Sequence, residues 1–454
     1  MLRSLAQTMT SSPKRVPIPR NGVDYRGKVV LAPMVRSGEL PSRLMALKYG
    51  ADLVWGTSFI RSPTHTPWSM LQINCSPGPE TIDRALIGTT RRHNPHTSTI
   101  EFTRFSNNGQ KDHVPSPDQR ESVIYRLHPI LEHKRLIFQL GTASPTLAVQ
   151  AARLVAADVA GIDVNSGCPK PFSTSGGMGA ALLRTPDILC AILEALVKEI
   201  GEPYEIGISV KIRLLETPAQ TEELVRRLCA TGITGLTVHC RTTPMRPRER
   251  AIREQLRMIT GVCREAGVAC IMNGDVENRE QAVALMEEFG ADGAMIATAA
   301  EKNPSVFRRK EDGGMAGWRE VVAEYMKFAL QVDNRWGNTK FTLAQLITGK
   351  DGKVPMDRMT KCKSYEEVVR TLDLEGLDDL AREVDARLGR DVPQEGKAAK
   401  RARAKEQNGK SVDGDGRQGN KKNKQEFIAS QAMPEISAAS YEATHEAAPA
   451  ALTV

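Results

Sequence analysis

Eight short apolar runs recur along the chain, at residues 29–34, 51–56, 136–140, 161–165, 208–213, 235–240, 269–274 and 293–298. Each is too short for a helix, and the near-continuous apolar content predicts a strand buried on both faces, as in a parallel sheet. Helical patterns join most of them. After Pro186, the set Ile188, Leu189, Ile192, Leu193, Leu196, Val197 and Ile200 follows the 3.6-residue period. Ser144-Pro145, Thr185-Pro186 and Thr217-Pro218 each put a capping residue before a proline at the first helical position. Eight such units within about 270 residues, and no Gly-x-Gly-x-x-Gly after the first run, favour a closed (β/α)8 TIM barrel over an open doubly wound sheet.

The join between the second and third runs is far longer than such connections usually are. We read an insertion at about 57–120, rich in Pro, Ser, Thr and His and partly disordered, followed by one strand-like piece at 122–127. Past the barrel, residues 318–332, 341–347, 365–372 and 377–388 predict amphipathic helices in a small bundle. The expected organisation is a disordered leader at 1–26, a barrel domain at 27–312, a helical domain at 313–390 and a disordered basic tail at 391–454.

A net charge of +8 and a pI near 9.0 favour a polyanionic partner, since Lys and Arg gain affinity by displacing counterions from phosphates. The stretch 396–454 holds ten Lys or Arg against seven Asp or Glu, so the excess is not confined to the tail. No apolar run approaches the roughly 18 residues of a membrane helix, so no membrane partner is expected. The eight cysteines contain no Cys-x-x-Cys and no zinc-like Cys/His spacing, which argues against a metal or a disulfide framework and for a reducing compartment. His65, His93, His96 and His113 fall in the insertion and read as a solvated loop. Residues 1–23 lack acidic groups, faintly like a mitochondrial transit peptide, but we read them as leader; the basic run 397–405 is similar to a nuclear-import signal or a solvated tail. A cytoplasmic or nuclear monomer is expected.

In this architecture the catalytic face is the rim where strands end. Asn165-Ser166-Gly167-Cys168-Pro169 closes the fourth run, so Gly167 and Pro169 present a thiol at a strand's edge. Gln139, Lys211 with Arg213, His239 with Arg241, Asn273-Gly274-Asp275 and Ala297-Thr298 end other runs. A lysine at position 211 is costly to bury unless something anionic pairs with it, and the last two segments stand where such barrels offer amides to a phosphate.

Together, Leu31-Ala-Pro-Met-Val35, Asp163-Val-Asn-Ser-Gly-Cys-Pro-Lys170, Gly176-Gly-Met-Gly-Ala-Ala-Leu-Leu183, Val210-Lys-Ile-Arg213, Val238-His239 with Arg246-Pro247, Asn273-Gly-Asp275 and Asn338-Thr-Lys-Phe341 resemble the tRNA-dihydrouridine synthases, in their eukaryotic position-20 branch. The resemblance spans about residues 27–389. It implies an FMN enzyme that reduces a uridine in the tRNA D-loop with hydride from NADPH or NADH. Cys168 would give a proton to uracil carbon 5 while flavin delivers hydride to carbon 6. Lys211 would sit beside the flavin, Gln139 would bond the ring edge, and Pro33, Met34 and Val35 would lie against it. His239 would belong to the FMN site, and Asn273, Gly274, Asp275, Ala297 and Thr298 to its phosphate-binding segments. Arg241, Arg246, Arg248, Arg250 and Arg253, with Arg335 and Lys340 near Trp336, would help hold tRNA. The other readings are an FMN barrel acting on a small molecule and a non-catalytic tRNA-binding relative.

The chain departs from the family pattern at Ser58, where a Glu is usual, at Cys240, where Gly is usual, and at Thr298, where Arg is usual. Loss of a guanidinium removes a bidentate phosphate contact. A Thr298→Arg variant is therefore expected to keep more FMN through purification than the parent, and equal flavin content in the two would overturn this.

Overall fold

The computed structural model describes residues 15–34, 36–56, 81–105, 121–246 and 248–390. Twelve strands occur among them: β1 (Lys28–Leu31), β2 (Leu53–Gly56), β3 (Thr81–Ile82), β4 (Thr90–Asn94), β5 (Thr99–Arg104), β6 (Ser122–Leu127), β7 (Leu136–Gly141), β8 (Gly161–Ser166), β9 (Gly207–Leu214), β10 (Gly235–Thr242), β11 (Ala269–Asn273) and β12 (Gly293–Ile296). All eight predicted runs are strands. In the order β1, β2, β7, β8, β9, β10, β11, β12 they pair in parallel, and β12 pairs back onto β1 to close the barrel.

Helices α1 (Leu40–Lys48), α2 (Asp83–Leu86), α3 (Pro145–Val155), α4 (Pro171–Thr174), α5 (Pro186–Leu196), α6 (Glu202–Tyr204), α7 (Pro218–Cys229), α8 (Leu256–Ala266), α9 (Arg279–Phe289) and α10 (Thr298–Lys302) belong to the barrel region. Ser144 caps α3, and Thr217 forms a capping box with Gln220 on α7. Thr185, expected to cap α5, does not: its ψ of 62° replaces the extended backbone that aims a cap side chain at the first turn.

Period-2 geometry divides each strand between two cores. Val210, Ile212, Leu236, Val238 and Cys240 face the helices, in one cluster with Leu193, Leu224 and Ile259. Val30, Leu53, Trp55, Ile137, Ile271 and Met295 fill the lower barrel interior. Tyr25 stoppers its base, so close to β10 that a Cβ on Gly235 would sit 2.6 Å from the ring. Residues 15–26, grouped with the leader from sequence, thus include ordered backbone: Val16 N–H donates to Gly267 O at 2.9 Å and Asn21 N–H to Glu205 O at 2.8 Å. Residues 1–14 and 391–454 lie outside the described residues.

The insertion corrects the sequence reading. Its described part forms a three-stranded antiparallel sheet, β4-β5-β6, where one strand was expected. Both faces of β5 are buried, Ile100 and Phe102 on one and Thr99, Glu101 and Thr103 on the other, whereas its partner β4, Thr-Arg-Arg-His-Asn, carries no apolar residue to reveal it as a strand. Tyr125 meets Phe138 of β7 edge-on, with ring centroids 4.9 Å apart.

After the barrel come α11 (Trp318–Gln331), α12 (Trp336–Leu346), α13 (Lys353–Met359), α14 (Tyr365–Leu372) and α15 (Asp378–Arg387). α12 starts five residues before its predicted position, and α13 was not foreseen. Pro355 occupies the first turn of α13, where a missing N–H costs nothing. The bundle's core takes in Met45 and Tyr49 at the end of α1.

Arg43 of α1 is wholly buried. It donates from Nε and Nη2 to Glu132 at 2.6 and 3.2 Å, and to the carbonyls of Gly38 and Arg126 at 2.7 and 2.8 Å. One guanidinium thereby ties α1 to the end of β6 and to the turn before β7. Removing one partner of a buried pair leaves an uncompensated charge. Glu132→Ala should lower unfolding free energy by about 3 kcal/mol or more, measured by urea denaturation, and a loss under about 1 kcal/mol would contradict this role.

Candidate active site

The upper interior of the barrel is polar because inward positions on adjacent strands carry Gln139, Asp163, Asn165, Ser209, Lys211, Thr237, His239 and Asn273. Registers place them side by side: Gln139 beside Asp163, Asn165 beside Lys211, Lys211 beside Thr237, and His239 beside Asn273. Asp163 is fully buried and accepts Gln139 Nε2–H at 2.7 Å and Ser209 Oγ–H at 2.8 Å. Burial pushes its carboxyl up to about 6, against the pull of those two donors and of Lys211. Gln139 Oε1 accepts from Asn165 Nδ2 at 3.2 Å, so both ends of the Gln139 amide are engaged.

Asn165 also shapes the thiol loop. Its Oδ1 accepts the N–H groups of Gly167 and Cys168 at 3.0 and 3.1 Å, turning the chain as β8 ends. The far side is fixed by Arg213, which donates to Gly167 O at 2.7 Å and Thr242 O at 2.9 Å, and by Ala180 N–H on Cys168 O at 2.9 Å. Gly179, with φ of +57°, is required here: a Cβ would come within 2.6 Å of Cys168 O. Cys168 is buried, and both Lys211 and Arg213 stand close enough to sense its charge.

Lys211 has no hydrogen bond or ion pair among the described residues. Burial, with Arg213 second, pushes its ammonium down to about 8 although Asp163 favours the charge. His239 is pushed down to about 2 by burial and by Lys211, Arg213 and Arg241, so its ring is neutral throughout the physiological range. Thr237 Oγ1 is buried beside Lys211 and has no hydrogen-bond partner among the described residues. Donors with no partner among the described residues, around a cationic mouth, suit an anionic, acceptor-rich group, and the residues present therefore fit the acceptor-bearing edge of a flavin.

Past β11, Gly274 and Asp275 have φ of +125° and +50°. The turn is strapped by Arg241 Nη2 on Asp275 Oδ1 at 2.5 Å, by Ala251 N–H on Asp275 Oδ2 at 2.7 Å, and by Arg253 on the carbonyls of Gly274 and Asp275 at 3.1 and 2.8 Å. Arg241 holds the Asp275 carboxyl below the usual range despite partial burial. Asn273 Nδ2 donates to Met295 O at 2.9 Å, linking this turn to β12, which leads into Ala297 and Thr298 at the start of α10.

The structure thus gathers Cys168, Gln139, Lys211, His239 and residues 273–275 at one end of the barrel, with Pro33 and Met34 following β1. Val35, Ser58 and Pro247 lie outside the described residues. Cys240 faces the helices, its thiol pushed up to about 12 by burial, so a side chain where glycine is usual leaves the mouth unchanged. Trp336 is also buried, edge-on to Tyr365 at 5.2 Å, which removes it as a stacking surface for a base. Sequence reading overlooked Asp163 and Ser209 as site residues. The signal was the alternation Asp163-x-Asn165 and Ser209-x-Lys211-x-Arg213, polar at every second position of an otherwise apolar strand.

Residues 74–343 match the family described as Dihydrouridine synthase (Dus). The chain belongs to this family. It is similar to tRNA-dihydrouridine(20) synthase of Schizosaccharomyces pombe, 46% identical over 356 residues, which cover 78% of this chain and 66% of that protein. Against the Saccharomyces cerevisiae protein of the same name, identity is 45% over 355 residues, 76% of this chain and 83% of the relative. A tRNA-dihydrouridine(20a/20b) synthase-like protein of Homo sapiens is 29% identical over 192 residues, covering 42% of this chain and 59% of that protein.

This dihydrouridine synthase family member carries a charge it must pay to keep. Because the folded-state value of Lys211 lies below its unfolded value, the ammonium costs stability below about pH 8, and the cost fades as pH rises towards 10.5. In flavin-free protein, Lys211→Met should raise stability at pH 7 by about 1–3 kcal/mol, discounted because the side chain is only partly buried. Thermal melts at pH 7 and above pH 10 test this, and a destabilised Lys211→Met at pH 7 would reverse the sign.

Proposed function

We propose that this protein reduces a uridine of the tRNA D-loop, at position 20, to 5,6-dihydrouridine, with FMN bound at the barrel mouth and NADPH or NADH as reductant. The observation that carries the reading is the Asn165–Cys168 turn, which puts a thiol on the same rim as Lys211, unpaired among the described residues, and a neutral His239. Family membership and the two yeast relatives support uridine in tRNA as the substrate.

Lys211, Thr237, His239 and Gln139 would hold the flavin, with residues 273–275 and Ala297-Thr298 towards its phosphate; bound there, reduced FMN would supply a hydride to uracil carbon 6. The residues then have three tasks. Cys168 Sγ–H gives its proton to carbon 5 on the base, so the carbon–carbon double bond gains one hydride and one proton. The sulfur left behind is negative, and Arg213 and Lys211 stabilise it until solvent returns a proton. Asn165, by holding the amides of Gly167 and Cys168, keeps the sulfur in position.

A base reaches such a site only when exposed from its stack. Arg246, Arg248 and Arg250 are exposed on the loop after β10 and make no ion pair among the described residues, which suits phosphates next to the reacting base. A small-molecule substrate would make no use of them, so salt-sensitive binding of unmodified tRNA separates the two readings. Cytoplasmic or nuclear residence belongs to the same proposal.

Cys168→Ala should slow tRNA uridine reduction by about 100-fold or more while NADPH still bleaches the flavin at the parental rate. Uridine reduction at the parental rate would remove the proton-donor role. A colourless parent that cannot be loaded with FMN would instead favour a binding-only relative.

A further inference from the structure

We infer that Arg241 is a positioning residue that locks His239 in the neutral tautomer carrying its proton on Nδ1, so that His239 can only donate to the cofactor from that atom. The inference rests on the flavin-site reading above for its ligand but not for its chemistry. A guanidinium has donors and no acceptor. Arg241 Nη1 lies 3.2 Å from His239 Nε2, so Nε2 must be the acceptor and must be unprotonated. A neutral imidazole carries one N–H, which leaves it on Nδ1.

Arg241 has little freedom to release the ring. It is buried at 4% exposure, donates from Nε to Glu249 O at 2.7 Å, and gives Nη2 to Asp275 Oδ1. Asp275 is itself anchored by Ala251 N–H. The order of support therefore runs from the Gly274-Asp275 turn through the guanidinium to the imidazole, within one strand-end layer.

The ring's orientation follows from a second contact. The Cβ position of Gly274 lies 3.5 Å from His239 Cδ2, so the Cδ2 edge faces the β11 turn and the Nδ1 edge lies on the opposite side of the ring. Among the described residues no group hydrogen-bonds Nδ1. Lys211 and Arg213, the cations facing this ring from β9, are also donors only. The ligand atom meeting this edge must then be an acceptor, such as a carbonyl, ring nitrogen or phosphate oxygen, and a donor there would be rejected.

Histidine tautomers can be read directly by long-range proton–nitrogen correlation NMR on flavin-free, nitrogen-15-labelled protein, with His239→Asn used to assign the signal. We expect an Nδ1–H, Nε2-unprotonated pattern in the parent from pH 6 to 8. Arg241→Met should shift His239 towards Nε2–H and weaken FMN binding by about tenfold, followed by flavin fluorescence, whereas Arg241→Lys, which keeps a donor, should restore part of both. An Nε2–H parent overturns the inference even if Arg241→Met fails to fold, as does unchanged FMN affinity in a folded Arg241→Met whose tautomer has shifted. An Nδ1–H parent that binds no FMN leaves the tautomer assignment standing and removes the proposed function instead.

Discussion

A carboxylate buried inside the barrel sets the terms for everything above it. Asp163 is fully shielded from bulk solvent, so it must be hydrogen-bonded, and it takes its donors from β7 and β9 on either side. That requirement orients Gln139, which in turn engages Asn165, the residue that holds the Cys168 loop. Its charge also favours the Lys211 ammonium one layer higher. The polar layer is thus a connected network, and a connected network buried at this depth is rigid.

Around it, the rim loops are fastened from outside. Arg213 and Arg241 spend their guanidinium groups on backbone carbonyls, Asp275 and His239, holding the loops after β8, β10 and β11 in one arrangement. The loop after β1 is fastened by the helical bundle and by α10 of the barrel: Asn338 of α12 donates to Arg36 O, Arg36 stacks over Phe341, and Ser37 bonds Glu301 of α10. Arg36 has φ of +63°, an uncommon conformation for a non-glycine residue that persists only where the surroundings impose it. The bundle therefore shares in building the mouth, through a buried cluster of Asn334, Asn338, Thr339 and Tyr365.

Strand residues were legible where periodicity and burial agree. All eight barrel strands could be placed because parallel strands covered on both sides must be apolar at nearly every position, a pattern that survives without knowledge of neighbours. The β4-β5-β6 sheet could not, because β4 has no apolar residue and the polar face of β5, with Thr99 and Glu101, is buried by hydrogen bonds with Thr97 and a salt bridge from Arg126 that exist only after folding. Likewise α13 hid behind Pro355, whose position within the helix decides whether it breaks or begins it.

At the site the division follows the same line. The chain alone determined which chemical groups end the strands, since Cys168, Gln139, Lys211, His239 and the Asn273–Asp275 turn each close an apolar run and barrel geometry sends strand ends to one rim. It also determined, through i, i+2 spacing, that Lys211 accompanies Arg213 and His239 accompanies Arg241 on one face. Only the tertiary structure decided the state of those groups. The neutral His239, the lowered Lys211 and the raised Asp163 depend on desolvation and on charges contributed by other strands, and neither distance nor dielectric is written along a single segment.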